Sequence, residues 1–504
     1  MQISRLAPRR RPDLAASATV GAIVVIAALL VALPPLLGAA LVAGATATAA
    51  IVAQPRRGFY LLLLSIPLQD IGARGEFTLT NALFGLTCVA WLAHRATTPG
   101  SPLPRSAIGP VFAIFVGGLA LSLIVARELA PGVAALFQWA KALIVYFLAL
   151  DLLRTRRHVL GALAALLIAG AGEATIGLFQ YTTGVGPASF AIGGQFSRAY
   201  GTFGRPNSYA GYLEMLLPPA IVLAAWLWRR RPRHGALLAR LVPVAAIGAA
   251  GLIGTALLAS FSRGAWLGTA GALGVIILLA SPRARGIAAT LVLGGGILGL
   301  LGGVALLPAN VRERLSSILG NAAAPDVRTA YITAENFAVV ERLAHWNAGL
   351  NMFGRYPWLG VGLGNFNPRY SEFNISPTFL FSQGHAHNYY IHVAAEAGIV
   401  GLGTYLLLLA TIAIVGLDAL RRTSQPGGDP FARALVIASL GTVTTVAIHN
   451  IFENLHVLSL GVQLSTIWAL LSIVTQRRAW SGDAATPKPT QSCRDEQRHS
   501  SEGR

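Results

Sequence analysis

Three polar clusters interrupt an otherwise strongly apolar chain, and their residue types suit phosphate binding and proton transfer. The first is Ser197-Arg198-Ala199-Tyr200-Gly201-Thr202-Phe203-Gly204-Arg205-Pro206-Asn207-Ser208. Pro206 and the glycines mark a turn, and Asn207 can cap the helix that follows. A capped turn does not explain the two arginines. The second cluster is Ser260-Phe261-Ser262-Arg263-Gly264-Ala265-Trp266-Leu267, where small residues leave the Arg263 guanidinium accessible. A planar guanidinium binds phosphate oxygens in a bidentate manner. The alternative is an arginine that snorkels to lipid headgroups. The third is a long segment with a helical stretch carrying Arg342, His345 and Trp346, then a turn from Tyr356 to Phe366 rich in glycine. It ends in Gly384-His385-Ala386-His387-Asn388. A histidine, with an ordinary pKa near 6.5, can take a proton from an alcohol. The pair His385-x-His387 has metal-ligand spacing, but no DxD pair or carboxylate-rich cluster accompanies it, so no metal is expected. The glycine turn does not follow a strand as a nucleotide-binding GxGxxG does.

The elements that position these clusters are membrane spans. The 504 residues are 54% hydrophobic and only 12% charged, against roughly 25% charged in soluble domains. Apolar runs of about 20 residues recur, each long enough to cross a bilayer as a helix. They do not alternate with period two, which excludes a barrel. An all-α polytopic membrane protein of about 12–14 transmembrane helices is predicted, with fourteen candidate spans. Residues 1–17 form a basic cytoplasmic N-terminus, 18–307 hold helices 1–11, and 308–387 form one large extracytoplasmic loop. Residues 388–475 hold helices 12–14, and 476–504 form a disordered cytoplasmic tail. Arg9–Arg11 precede the first apolar run, and a second span follows at once, so the first run reads as an anchor. Cys88 and Cys493 give no disulfide framework.

The net charge of +19 would suggest nucleic acid in a soluble protein. Here the arginines lie in alternate loops. With the N-terminus inside, the inside segments carry Arg5, Arg9–Arg11, Arg56/Arg57, Arg95/Arg105, Arg154/Arg156/Arg157, Arg229–Arg231, Arg233/Arg240, Arg283/Arg285, Arg421/Arg422 and Arg477/Arg478, 22 in all. The short outside loops carry five: Arg74, Arg127, Arg198, Arg205 and Arg263. This is the positive-inside pattern, so the basic charge reports topology and lipid headgroups, not nucleic acid. All three polar clusters fall on the outside face.

Buried charge supplies further candidates. Lys141, Glu173 and Glu214 lie within or beside spans, where ionisable groups are costly and face a partner or a cavity. Glu214 is placed to pair with an outside arginine or within an intramembrane pair. His449-Asn450 and Glu453-Asn454 fall at the last outside turn and can rim the same cavity. Glu396 can hold the second imidazole nitrogen of His387 or a sugar hydroxyl.

Together the motifs resemble the O-antigen ligase and O-antigen polymerase family of bacterial membrane glycosyltransferases, over roughly residues 190–475. His387-Asn388, nine residues, then Gly398-Ile399-Val400-Gly401 is similar to the family's closing motif. Ser262-Arg263-Gly264-Ala265-Trp266-Leu267 looks like its arginine-bearing turn. Arg198 ahead of Gly201-Thr202-Phe203, followed by Pro206-Asn207, looks like its loop before the next helix; Arg205 stands where that loop often has Asn. The resemblance implies the GT-C helical fold and a site facing the periplasm from the bacterial inner membrane. It implies metal-independent, cofactor-free, inverting transfer from an undecaprenyl-diphosphate-linked glycan to a hydroxyl on lipid A core, a glycan chain or a protein, as in lipopolysaccharide or exopolysaccharide synthesis. In that frame His387 is the general base, Arg263, Arg198, Arg205 and Arg342 bind diphosphate, and Asn388, Glu396, Asn207, Glu214 and His449 support them. Arg342 either binds phosphate or braces the long loop. The competing reading is a transporter of small anions or glycolipids, which leaves the His-Asn-x9-Gly-x-x-Gly motif unexplained.

Overall fold

The computed structural model describes residues 34–69, 78–98, 104–192, 195–231, 237–280, 282–300, 312, 326–333 and 336–476. The first candidate span, the basic N-terminus, the start of the long loop and the tail lie outside the described residues. Within the described residues the other thirteen candidate spans overlap helices, which bears out an all-α polytopic architecture. They are α1 (Pro35–Ala53), α2 (Pro55–Ser65), α3 (Leu79–Thr97), α4 (Ile108–Ser122), α5 (Leu129–Leu152), α6 (Arg156–Thr183) and α7 (Pro206–Arg229). After these come α8 (Leu237–Ala259), α9 (Arg263–Leu279) and α10 (Pro282–Leu300). The long segment adds α11 (Phe337–Arg355) and α12 (Phe366–Phe373), followed by α13 (Tyr389–Thr423), α14 (Pro430–His449) and α15 (Leu460–Gln476). Among the described residues, seven helices are long and apolar enough to cross a membrane, and three shorter ones are comparably apolar. A two-residue hairpin, β1 (Ala191–Ile192) with β2 (Phe196–Ser197), is the only sheet among them.

Local chemistry fixes the helix starts. Thr78, Thr155, Asn388 and Asp429 each accept a backbone N–H at the head of α3, α6, α13 and α14, satisfying donors that would otherwise be orphaned. Proline opens α1, α2, α7 and α14, where its missing N–H costs nothing. Inside α7, Pro218-Pro219 removes two helical donors. The Met215 carbonyl, four residues before Pro219, receives the Thr442 hydroxyl of α14 at 2.9 Å instead. Neighbouring helices restore freed backbone bonds in this way where no water is present.

The helices sort the loops by end. α9 packs on α14, α7 on α8 and α14, α15 on α5, and α13 on α4. One end gathers the basic turns: Arg156 pairs with Asp429 at 2.7 Å, and Arg433 donates to the Leu279 carbonyl at 2.7 Å. The other end gathers the three polar clusters. The long segment docks there. Asn365 exchanges two 2.8 Å hydrogen bonds with the backbone of Glu128, and Arg127 pairs with Glu372 at 2.8 Å.

The closing motif has a structural half. Gly398 breaks α13 with φ +61 and ψ −157, a conformation open to glycine. A Cβ there would lie 2.3 Å from the Trp358 backbone, and one at Gly401 would lie 2.3 Å from Ala397 Cβ. Into this break fits the glycine turn, whose Gly360, Gly362 and Gly364 all have positive φ. Val361 and Gly362 N–H bond the carbonyls of Ala395 and Glu396 at 2.9 Å. Gly398 therefore seats the loop against α13, while Gly401 leaves room for Ala397 of the helix's own preceding turn.

Candidate functional site: a histidine–carboxylate cluster among arginines

Glu453, in the turn between α14 and α15, is the hub of the site. Its Oε1 accepts from His387 Nδ1 at 3.2 Å and from the Asn454 N–H at 3.1 Å, and lies 3.4 Å from His385 Nε2. Its Oε2 accepts from Asn207 Nδ2 at 2.7 Å. Asn207 Oδ1 accepts from Arg198 at 3.2 Å, and Arg198 Nε donates to the Ser260 carbonyl at 2.9 Å. One chain of hydrogen bonds thus joins all three polar clusters.

The hydrogen-bond partners also assign the protons. His385 Nδ1 accepts the His387 backbone N–H at 3.1 Å, so its own proton sits on Nε2, facing Glu453. Burial pushes the His385 pKa down to about 3, with Glu453 opposing and the charges of His387, His392 and Arg205 adding to the drop. His387 presents Nδ1 to the carboxylate, so that nitrogen carries the proton. Its Nε2 is buried with no hydrogen-bond partner. The ring is left with a lone pair aimed away from its orienting carboxylate, the arrangement of a general base. His387 holds a left-handed backbone, φ +51, uncommon for a residue other than glycine. The Asn388 cap and the Trp346 indole N–H on the His387 carbonyl at 3.3 Å brace it.

His385, His387 and Glu453 bring three possible metal-ligand atoms within 4.8 Å of one another. A metal would need the lone pairs of His385 Nε2 and His387 Nδ1. In this arrangement both nitrogens face Glu453 as a hydrogen-bonded unit, and a metal would have to displace their protons.

Cations surround the cluster. Burial works to raise the Glu453 carboxyl, but the His387 hydrogen bond and the charges of His385, His387 and Arg342 hold it well below the usual carboxylate range. Arg342 on α11 also acts on Glu341 and on Arg263, which brings Arg263, Arg342 and His387 into one neighbourhood. Arg205, at the head of α7, is exposed and lies within reach of His385. Arg198 is half-buried and gives Nε and one Nη to the protein, so bracing is part of its role. His345, buried on α11 with its ring 5.3 Å from that of His387, is pushed down to about 4 by burial and by the His387 charge.

Two expected roles change, those of Glu396 and His449, and of the two open to Glu214 the intramembrane pair is the one formed. Glu396 does not hold the His387 ring: its Oε1 accepts the Phe366 N–H at 2.9 Å and its Oε2 lies 3.6 Å from His392. It fastens the long loop. Glu214 does not reach an outside arginine; it pairs with His449 at 2.7 Å and takes the Thr445 hydroxyl at 3.2 Å. His449 does not rim the cavity, since it is 1% exposed beneath Gly264, where a Cβ would meet its ring at 2.4 Å. The orienting role assigned to Glu396 belongs to Glu453. The signal for it was the run His449-Asn450-Ile451-Phe452-Glu453-Asn454, which puts one carboxylate on the outside face. Lys141 is buried and donates to Asn81 Oδ1 at 2.8 Å and to the Ser459 hydroxyl at 3.4 Å. Glu173 accepts the Thr202 N–H at 3.0 Å and hydroxyl at 2.8 Å, shaping the first cluster's turn.

Fold and site together define a polytopic α-helical membrane protein whose polar loops converge on a histidine–carboxylate pair among arginines. Residues 248–406 match the family described as O-antigen ligase. Over this segment the chain is similar to that family, and the resemblance read from its motifs is borne out. The segment holds Arg263, Arg342 and His387; Arg198, Asn207 and Glu453 lie outside it. No individual curated protein matches the chain. The domain supports an O-antigen ligase-type glycosyltransferase in general.

Proposed function

We propose that the protein transfers a glycan from undecaprenyl diphosphate to an acceptor hydroxyl on the extracytoplasmic face of the bacterial inner membrane. The observation that carries this reading is the unpartnered Nε2 of His387, set by Glu453 on the opposite ring nitrogen, with the Arg342 charge acting on Glu453 and on Arg263. The acceptor oxygen gives its proton to His387 Nε2 as it attacks the anomeric carbon. The bond from that carbon to the diphosphate breaks, and both bonding electrons leave with the lipid diphosphate. Arg263, Arg342, Arg198 and Arg205 stabilise the charge that develops there, where preorganised donors act most strongly. Glu453 stabilises the imidazolium formed. Attack from the face opposite the leaving group inverts the anomeric centre, and neither metal nor cofactor takes part. The GT-C class of helical transferases accommodates this arrangement. The acceptor is lipid A core, another glycan or a protein.

The test is transfer from a synthetic undecaprenyl-diphosphate glycan by reconstituted protein, with the product's anomeric configuration read by NMR. An inverted linkage formed in the presence of a strong chelator is expected. A retained linkage, or transfer that a divalent ion restores, contradicts the mechanism.

A further inference from the structure

The end of the bundle opposite the histidine site carries a second cationic feature that glycan transfer does not use. The last turns of α7 and α9 and the first turns of α14 enclose a groove of about 300 Å³, at the lower end of the roughly 300–1,000 Å³ range of ligand pockets. Its wall is apolar: Ile221, Val222, Ile276 and Ile437 line it along the helices. Its rim is formed by Arg229, Arg230 and Arg433, and no carboxylate lines it. Among the described residues none of these three arginines makes an ion pair with an acid. The neighbouring Asp429 is committed to Arg156 at 2.7 Å. The arginines are held in place by other means. Arg433 donates to the Leu279 carbonyl at 2.7 Å and to the Ser424 hydroxyl at 3.3 Å, and Arg230 lies 5.1 Å from the centre of the Trp226 ring. Trp226 is also a wall residue, and its buried indole N–H lacks an acceptor.

An apolar slot that runs along spanning helices and ends in unneutralised arginines matches one ligand in both halves. We propose that this groove binds an anionic glycerophospholipid of the leaflet opposite the histidine site, with its phosphate on Arg229, Arg230 and Arg433 and an acyl chain against the isoleucine wall. Charge complementarity carries the choice: basic side chains at the membrane surface attract anionic headgroups, and the apolar wall excludes a wholly water-soluble anion as the best fit.

Native mass spectrometry of the full chain in detergent, offered dioleoyl phosphatidylglycerol or dioleoyl phosphatidylcholine, tests this. The wild-type protein should retain phosphatidylglycerol in preference to phosphatidylcholine. Arg229→Gln/Arg230→Gln should retain at least tenfold less of it. Ala225→Trp, which fills the groove and keeps every charge, should lose it too. Unchanged thermal unfolding of both variants keeps the comparison valid, and an unfolded variant is replaced by Arg433→Gln. Equal retention of the two lipids, retention unchanged in either variant, or displacement of the lipid by inorganic phosphate alone would overturn the assignment.

Discussion

Two histidine–carboxylate pairs lie near one another in this molecule, and their difference separates chemistry from architecture. Glu214–His449 joins α7 to α14 inside the bundle at 2.7 Å, with side chains 0% and 1% exposed. Gly264 closes over the His449 ring, so no substrate can reach it. His387–Glu453 is longer, 3.2 Å, and sits at the mouth, with side chains 14% and 7% exposed. Its carboxylate collects four protein donors, and its imidazole keeps one nitrogen bare. On the proposed mechanism the same two residue types make a pin in one place and a base in the other, according to what surrounds the second ring nitrogen.

Substitutions can break this contrast. His387→Ala should lower transfer by roughly 10²–10⁴-fold, the usual worth of a general base, while the protein still inserts and unfolds at the same temperature. Arg263→Ala should cost about 10²–10³-fold, as expected for a donor that stabilises developing charge. His449→Ala should behave in the opposite way. It leaves the Glu214 carboxylate buried and unpaired, and should destabilise the fold by roughly 3–5 kcal/mol, read as a lower unfolding temperature. Glu396→Gln keeps an oxygen for the Phe366 N–H and should reduce transfer by less than about tenfold, against a larger loss for Glu453→Gln.

Acid should expose the cluster in a particular direction. Burial holds His385 at about 3 and His345 at about 4, both below their ordinary value near 6.5. Between those values the unfolded chain binds more protons than the folded one, so stability is full above about pH 6.5 and falls as pH drops below it. Thermal unfolding followed from pH 7 to pH 4.5 should show this slope, and His385→Gln should flatten it.

Much of the bundle was legible in the sequence because span length and arginine placement are independent signals of the same topology. Arg263, Arg198, Asn207 and His387 were legible because polar residues on an arginine-poor face need a reason to be there. Glu453 was legible only as a residue of the rim, because its hold on His387 depends on the α14–α15 turn meeting the head of α13, a contact 66 residues distant in the chain. Glu396 misled for the matching reason. It lies about two turns into α13, which begins only after His387, and a helical rise of 1.5 Å per residue carries it well below the mouth. Glycine spacing showed a motif but not its mechanics; the positive φ of Gly398 and its fit against Trp358 appear only in three dimensions.

The steady-state kinetics of Glu453→Gln test the central claim most directly. The variant keeps a side-chain oxygen of similar size but loses the charge that holds the Nδ1 proton and supports the imidazolium. A fall in kcat of about 10²-fold, with KM for the lipid-linked donor unchanged, is the expected result. A variant with wild-type kcat, or one that changes only KM, would contradict the assignment of His387 Nε2 as the base.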